Sequence, residues 1–388
     1  MTLVGALGGR GRARIDARGG ITVVGEGWSL DWWIGADDRW RLPASEPAVR
    51  QRAIEGTPVL ETALRVPGGD AVQRTYGIGG PGGIVIVEIE NDSPAAFIGA
   101  FTITGARAVS GAGGVIEVDD RPALIVPAAP ARFTVGTEPL DPETIGAQTG
   151  AFPSARDRRG RLGAAVLFPL SHRNRMRIAI VTSNDDPGPV DLAQAASAVD
   201  AANGWHTLLE HGMRFAISDP LRQTAVDLAH AQVLLDPDPD ATTTAALEDW
   251  GHDTEAEWAW RGLSLSARRA ARRRAARRRA GTLDESTPGG LLSSVRRALI
   301  RDERGIELAP DLPSEWWGQD FEVHDAPTRA GRLSYAVRWH GARAALLWEV
   351  TDPAADLVIR APKLDPTWTT TDPAGDALLT PASTRATT

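Results

Sequence analysis

Apolar and polar residues alternate along much of the first half of the chain. Val59-Leu-Glu-Thr-Ala-Leu-Arg-Val66 is one such run, and Ile84-Val-Ile-Val-Glu-Ile-Glu90 is another, following the Gly79-Gly-Pro-Gly-Gly83 turn. Phe97 to Thr104, Gly114 to Val118, Ala123 to Val126, Arg132 to Val135, Gly163 to Leu170 and Met176 to Thr182 are shorter runs of the same kind. Successive side chains of a strand point to opposite faces, so this spacing predicts strands with one buried face. Gly, Pro, Asn and Asp clusters separate the runs, which predicts an antiparallel β-sandwich rather than alternating strands and helices. Residues 1 to about 20 are rich in Gly and Arg and are expected to be loose. No self-repeat of ~20 to 50 residues is visible, which argues against a solenoid or propeller.

The period changes near Pro187. Val190 to Gly204 is Ala-rich with helical spacing, Trp205 to Gly212 continues it, and Met213 to Ile217 reads as a last short strand. Ser218-Asp219-Pro220 starts a helix, with a capping side chain followed by proline in the first turn. Leu221, Ala225, Leu228, Ala229, Val233 and Leu234 recur every three or four residues and predict one buried helical face. Farther on, Gly289 to Asp302 reads as a helix and Ile306 to Leu308 as a strand. Pro310-Asp-Leu-Pro-Ser-Glu-Trp316 reads as a turn, and Arg329 to Trp339 as the start of a hairpin. Trp316, Trp317, Trp339 and Trp348 are expected to fill this C-terminal β-module, with Trp339 and Trp348 paired across the turn at His340-Gly341. From Pro366 the chain is rich in Thr, Ala and Pro and is expected to be disordered. The divisions expected are 1–217 for the sandwich with a trailing helix, 218–304 for a helical segment, 305–365 for the β-module and 366–388 for the tail.

The order of helix, short strand, Pro-x-Leu-Pro-x-x-Trp turn and hairpin between Gly289 and Glu349 resembles the end of the six-hairpin glycosidases. Their catalytic α/α toroid hands over to a small C-terminal β-module. Gly204-Trp205 and Asp219-Pro220 are similar to the segment that introduces the first toroid helix in the same families. The resemblance implies carbohydrate as the ligand class and twelve helices in a full toroid. The stretch from Asp219 to Asp302 holds only about four helices of average length. The toroid is therefore expected to be truncated.

Composition narrows the function classes. The chain has 388 residues, 42% hydrophobic and 24% charged, and a formal net charge of −8. That balance disfavours nucleic acid or an anionic membrane as a partner of the whole surface. It has no cysteine, which excludes disulfides, thiolate metal sites and a cysteine nucleophile. No apolar run approaches the ~20 residues that span a bilayer, and Met1 to Arg14 lacks a signal-peptide pattern, so a cytoplasmic location is expected.

Three stretches could carry chemistry. The first is Trp28-Ser-Leu-Asp31-Trp32-Trp33-Ile-Gly35-Ala-Asp37-Asp38-Arg39-Trp40. An aromatic ring beside a carboxylate covers the C–H face of a sugar and accepts its hydroxyl hydrogen bonds. Asp31, Trp33, Asp37 and Trp40 are the candidate carbohydrate-binding residues. The competing reading is a strand whose tryptophans are core. The second stretch is Glu248 to Trp260. Glycoside hydrolysis needs two carboxyl groups roughly 5–10 Å apart, and Asp249, Glu255 and Glu257 are the candidates here, against a solvated acidic helix pair around Gly251. The third is the run from Ala267 to Ala280, where like charges one turn apart seek counter-charge. Arg272, Arg273 and Arg274 are its candidate anion-binding residues, with an acidic segment of the same chain as the competing partner. The seven histidines are scattered, no metal-ligand spacing appears, and there is no phosphate loop or Gly-x-Ser-x-Gly elbow.

The reading that follows is a glycosidase-related, non-catalytic protein that binds carbohydrate or a partner and needs no cofactor. An active glycoside hydrolase and an arginine-helix scaffold for an acidic partner or nucleic acid are the alternatives.

Overall fold

The computed structural model describes residues 1–7, 11–79, 83–127, 132–142, 145, 154–157, 159, 161–182, 190–264, 266 and 284–380. It is a mixed α and β structure with several largely antiparallel sheets and, among the described residues, five helices. The chain divides into two compact units, Met1–Gly204 and Trp205–Thr388.

The first unit holds two antiparallel sheets. One runs Thr2–Gly5, Arg12–Ile15, Ile21–Val23, Ser29–Gly35, Phe97–Ala106, Leu162–Leu170 and Arg132–Thr137, with Trp40–Arg41 paired to Ser29–Gly35. The other runs Ala155–Arg156, Ala108–Ala112, Val115–Val118, Arg121–Ile125, Arg175–Val181, Ile84–Asp92, Gly69–Ile78, Leu60–Val66 and Val49–Ala53. Alternation decides which residues go inside. Leu30, Trp32, Ile34, Phe101 and Val166 of the first sheet join Leu64, Val85, Val87 and Ile178 of the second in one buried cluster. This is the arrangement a sandwich pattern calls for. Residues 1 to 20, expected to be loose, instead supply two strands, because Val4, Ala13 and Ile15 are drawn into the same core.

The outer face of the second sheet carries a buried carboxylate. Arg177 Nε lies 2.7 Å from Glu88, Arg74 NH1 3.2 Å and Arg175 NH1 3.7 Å, so the charge is balanced where water is excluded. Arg177 also donates to the Ala195 carbonyl at 3.0 Å, and the Tyr76 hydroxyl donates to that of Ala196 at 3.0 Å. Burial pushes the Tyr76 phenol up to about 12. These bonds tie down the segment leading into helix α1, Ala198–Leu209.

In the second unit, helix α2, Pro220–Leu235, begins where Asp219 accepts from the backbone N–H groups of Leu221 and Arg222. Asp240 caps α3, Ala241–Asp249, in the same way, and Thr287 caps α5, Pro288–Leu299. Helix α4, Asp253–Gly262, lies between them. The C-terminal half of α2 is buried all round while Leu221 and Ala225 are exposed, so the single buried face expected for this helix is not what forms. Five strands form a sheet in the order Arg214–Ile217, Phe321–Thr328, Gly331–His340, Arg343–Thr351 and Ala374–Leu379. Four more, Ile300–Arg301, Ile306–Leu308, Ile359–Ala361 and Asp365–Thr370, form another, in which Ile306–Leu308 and Ile359–Ala361 run parallel.

Three expectations are corrected here. The division falls between Gly204 and Trp205 rather than after 217, because Arg214–Ile217 pairs with Phe321–His324 and belongs to the second unit. Residues 366–379 are not a disordered tail. They supply most of one strand and all of another, and Leu379 is buried opposite Ala344. Trp339 and Trp348 do not pair across the hairpin, since Trp339 stands opposite Ala344 and Trp348 opposite Tyr335.

Candidate functional site

The strand Ser29–Gly35 places Asp31 and Trp33 on the face turned away from the main core. Trp33 is only 8% exposed there, packed with Ala100, Ile145 and Leu167 in a second small cluster that Trp40 and Leu42 close over. Trp40 crosses above Gly35, and its ring carbons lie 3.0 Å from where a Cβ on that residue would stand, so a side chain there would push the ring outward. Asp31 is half-buried, and its carboxyl is pushed up by burial first and by Asp16 second. Asp37 is exposed beside the Asp38–Arg41 ion pair. The four residues come from neighbouring positions; the Trp33 ring is covered by protein, while Trp40 keeps part of its surface open.

The acidic stretch folds as the end of α3, a corner and α4. Trp250 is buried and its indole donates to the Leu292 carbonyl at 3.2 Å. Glu257 is exposed and pairs with Arg261 at 2.5 Å, one turn along the same helix. Asp249 and Glu255 are half-buried on different helices, and Glu248 is taken up by the Trp260 indole at 2.5 Å. Ala256 and Ala259 form the inward face of α4, so Glu257 points away from the helix cluster. Arg272, Arg273 and Arg274 lie outside the described residues.

This corner also holds a pair that sequence spacing did not bring out. His230 of α2 and His252, just before α4, face each other with Nε2 atoms 2.6 Å apart. They are 4% and 7% exposed. His230 is held well below the usual histidine range by burial and then by His252. His252 is lowered by burial, against the opposing pull of Glu255. The two residues are 22 positions apart, so helical periodicity could not join them. Among the described residues no group of three or more His, Cys, Asp or Glu side chains is placed to hold a metal ion.

A third place presents an exposed aromatic surface. The turn Ser314–Trp316 buries Trp316 against Phe215, with ring centroids 5.2 Å apart, and turns Trp317 outward at 45% exposure. Trp317 leans on Trp339, centroid to centroid 4.8 Å at 54°. Gly318, with φ of +83°, lets the chain turn sharply behind it. Asp320 then accepts from the Trp339 backbone N–H at 2.9 Å, and Arg338 stands 4.0 Å from the other Asp320 oxygen while also pairing with Glu322. The Trp339 indole N–H is buried without a hydrogen-bond partner. The result is a half-open ring pair flanked by an acceptor and a donor, all on the end of one sheet. The expectation that Trp317 fills the β-module is corrected, because its neighbour Trp316 takes the inward position.

No helix among the described residues is long and apolar enough to cross a membrane. Neither a scan against models of known protein families nor a search of curated proteins finds a match for the chain.

Proposed function

We propose that the chain is a non-catalytic carbohydrate-binding protein, related to the six-hairpin glycosidases as its sequence motifs suggest, and that its ligand rests on Trp317. The observation that carries this reading is the exposed Trp317 ring braced by Trp339, with Asp320 on the Trp339 backbone and Arg338 beside Asp320. An indole face takes up the C–H side of a pyranose, while a carboxylate and a guanidinium bind hydroxyls at its rim. The pairing of Glu257 with Arg261 on the exposed side of its helix supports binding over cleavage, because hydrolysis asks two carboxyl groups to flank one bond.

Titration calorimetry with a panel of neutral oligosaccharides tests this. At least one member binds, Trp317→Ala weakens it about tenfold or more, a loss of about 1.4 kcal/mol, and no reducing sugar is released. Sugar release abolished by Glu255→Gln replaces this reading with the hydrolase. Steeply salt-dependent nucleic-acid binding, lost when Arg272, Arg273 and Arg274 are neutralised, replaces it with the scaffold.

A further inference from the structure

The histidine pair is a buried ionisable feature of the second unit that sugar binding leaves unused. At 2.6 Å, one Nε2 carries the hydrogen and the other accepts it. Two imidazoles on one tetrahedral zinc ion, each ~2.0–2.1 Å from the metal, stand about 3.3 Å apart, so this separation belongs to a direct hydrogen bond. Each ring has a close neighbour. The Trp250 ring lies 4.8 Å from that of His230. The Gly212 backbone presses on His252 so closely that a Cβ there would fall 2.6 Å from its Nε2. The Met213 N–H donates to the Trp250 carbonyl at 2.7 Å and joins the corner to the strand Arg214–Ile217.

A first added proton leaves the hydrogen bond in place but creates a buried charge. A second puts two N–H groups nose to nose. The charged surroundings do not remove this conflict. Glu255 and Asp253 of α4 favour the charged form of His252, while burial and His211, on the segment after α1, oppose it. On α5, Arg296 adds a further positive charge near Trp250, and its Nε donates to the Asp249 carbonyl at 3.4 Å. On the strand side, Arg214 is engaged by Asp325 at 3.1 Å.

We propose that His230 and His252 form an acid-released clasp: protonation drives the rings apart and frees the corner at Trp250–Asp253 together with the first turn of α4. The direction follows from linkage. Both groups are held below their ordinary value in the folded protein, so the closed form is fully favoured above pH ~6.5 and loses ground as pH falls below it. Each histidine that opening allows to charge changes the opening constant by about tenfold per pH unit, and two together by up to about a hundredfold.

Hydrogen exchange on the full chain at pH 7.5, 6.5 and 5.5, corrected for the intrinsic pH dependence of exchange, reads the clasp directly. The reporters are the N–H groups of Met213, His252 and Ala256, bonded to the carbonyls of Trp250, Leu247 and His252. Their protection falls by more than tenfold and up to about a hundredfold per pH unit below 6.5, and in His230→Gln by about tenfold or less. Nitrogen-15 spectra of the wild-type imidazoles show both rings still neutral at pH 6, and this readout stands if the variant does not fold. The proposal is overturned by flat protection across this pH range, by an unchanged slope in a folded His230→Gln protein, by imidazoles that titrate near 6.5 with the corner still closed, or by added zinc raising the protection of the three reporters.

Discussion

Glu88 and His230 are both buried ionisable side chains, and the two units hold them in opposite ways. In the first unit the carboxylate is met by opposite charge, because Arg74, Arg175 and Arg177 gather on neighbouring strands within 3.7 Å of it. Cross-strand register supplies them, since Arg74 and Arg177 stand directly opposite Glu88 on either side. In the second unit His230 meets another histidine, and neither ring gains by taking a proton. A sheet face can line up counter-charges at every second position. A corner between helices brings in whichever group the packing delivers. The second arrangement is therefore the one that mild acid opposes.

The comparison can be broken most sharply at Glu88. Glu88→Ala leaves the largely buried Arg177 without its carboxylate, while Arg74 keeps Glu61 and Glu90, and should cost about 3 kcal/mol, read by denaturant unfolding of the first unit. Acid sharpens the contrast in the other unit. There the unfolded chain binds protons at the ordinary histidine value while the folded pair resists them, so stability is whole above pH ~6.5 and declines below it. The slope is about 1.4 kcal/mol per pH unit for each histidine. Calorimetric scans between pH 7.5 and 5.5 should show the transition of the second unit moving down before that of the first. A smaller effect is expected at the cap of α2, where Asp219→Ala frees two backbone N–H groups and should cost about 1 kcal/mol in thermal unfolding. The least is expected from Trp317→Ala, which removes one ring contact at a half-open position. It should change stability by about 0.5 kcal/mol while weakening sugar binding about tenfold or more, as thermal unfolding and calorimetry would show.

Much of the strand pattern was legible, because alternation over Leu60–Val66, Ile84–Asp92 and Leu162–Leu170 reports directly which face is buried. The cap at Asp219-Pro220 was equally plain, being local chemistry within three residues. What escaped was set by distant packing. The strands at 2–5 and 374–379 sit in segments whose composition suggests disorder, and they form because a sheet edge offers hydrogen bonds and a core takes Val4 and Leu379. The tryptophans illustrate the same limit. Trp32 and Trp33 are adjacent on one strand and both are buried, in different cores, because the outer face of the sheet is covered as well. Trp316 and Trp317 are also adjacent, but a short turn sends one inward and one outward. Residue type alone could not tell these pairs apart.

Nitrogen-15 spectra of the indole N–H groups resolve the thirteen tryptophans of the chain in one experiment and test the binding assignment most directly. On titration with a bound oligosaccharide, shifts confined to Trp317 and Trp339 are the predicted result. Shifts at Trp33 and Trp40, or at Trp258 and Trp260, with Trp317 unmoved, would contradict it.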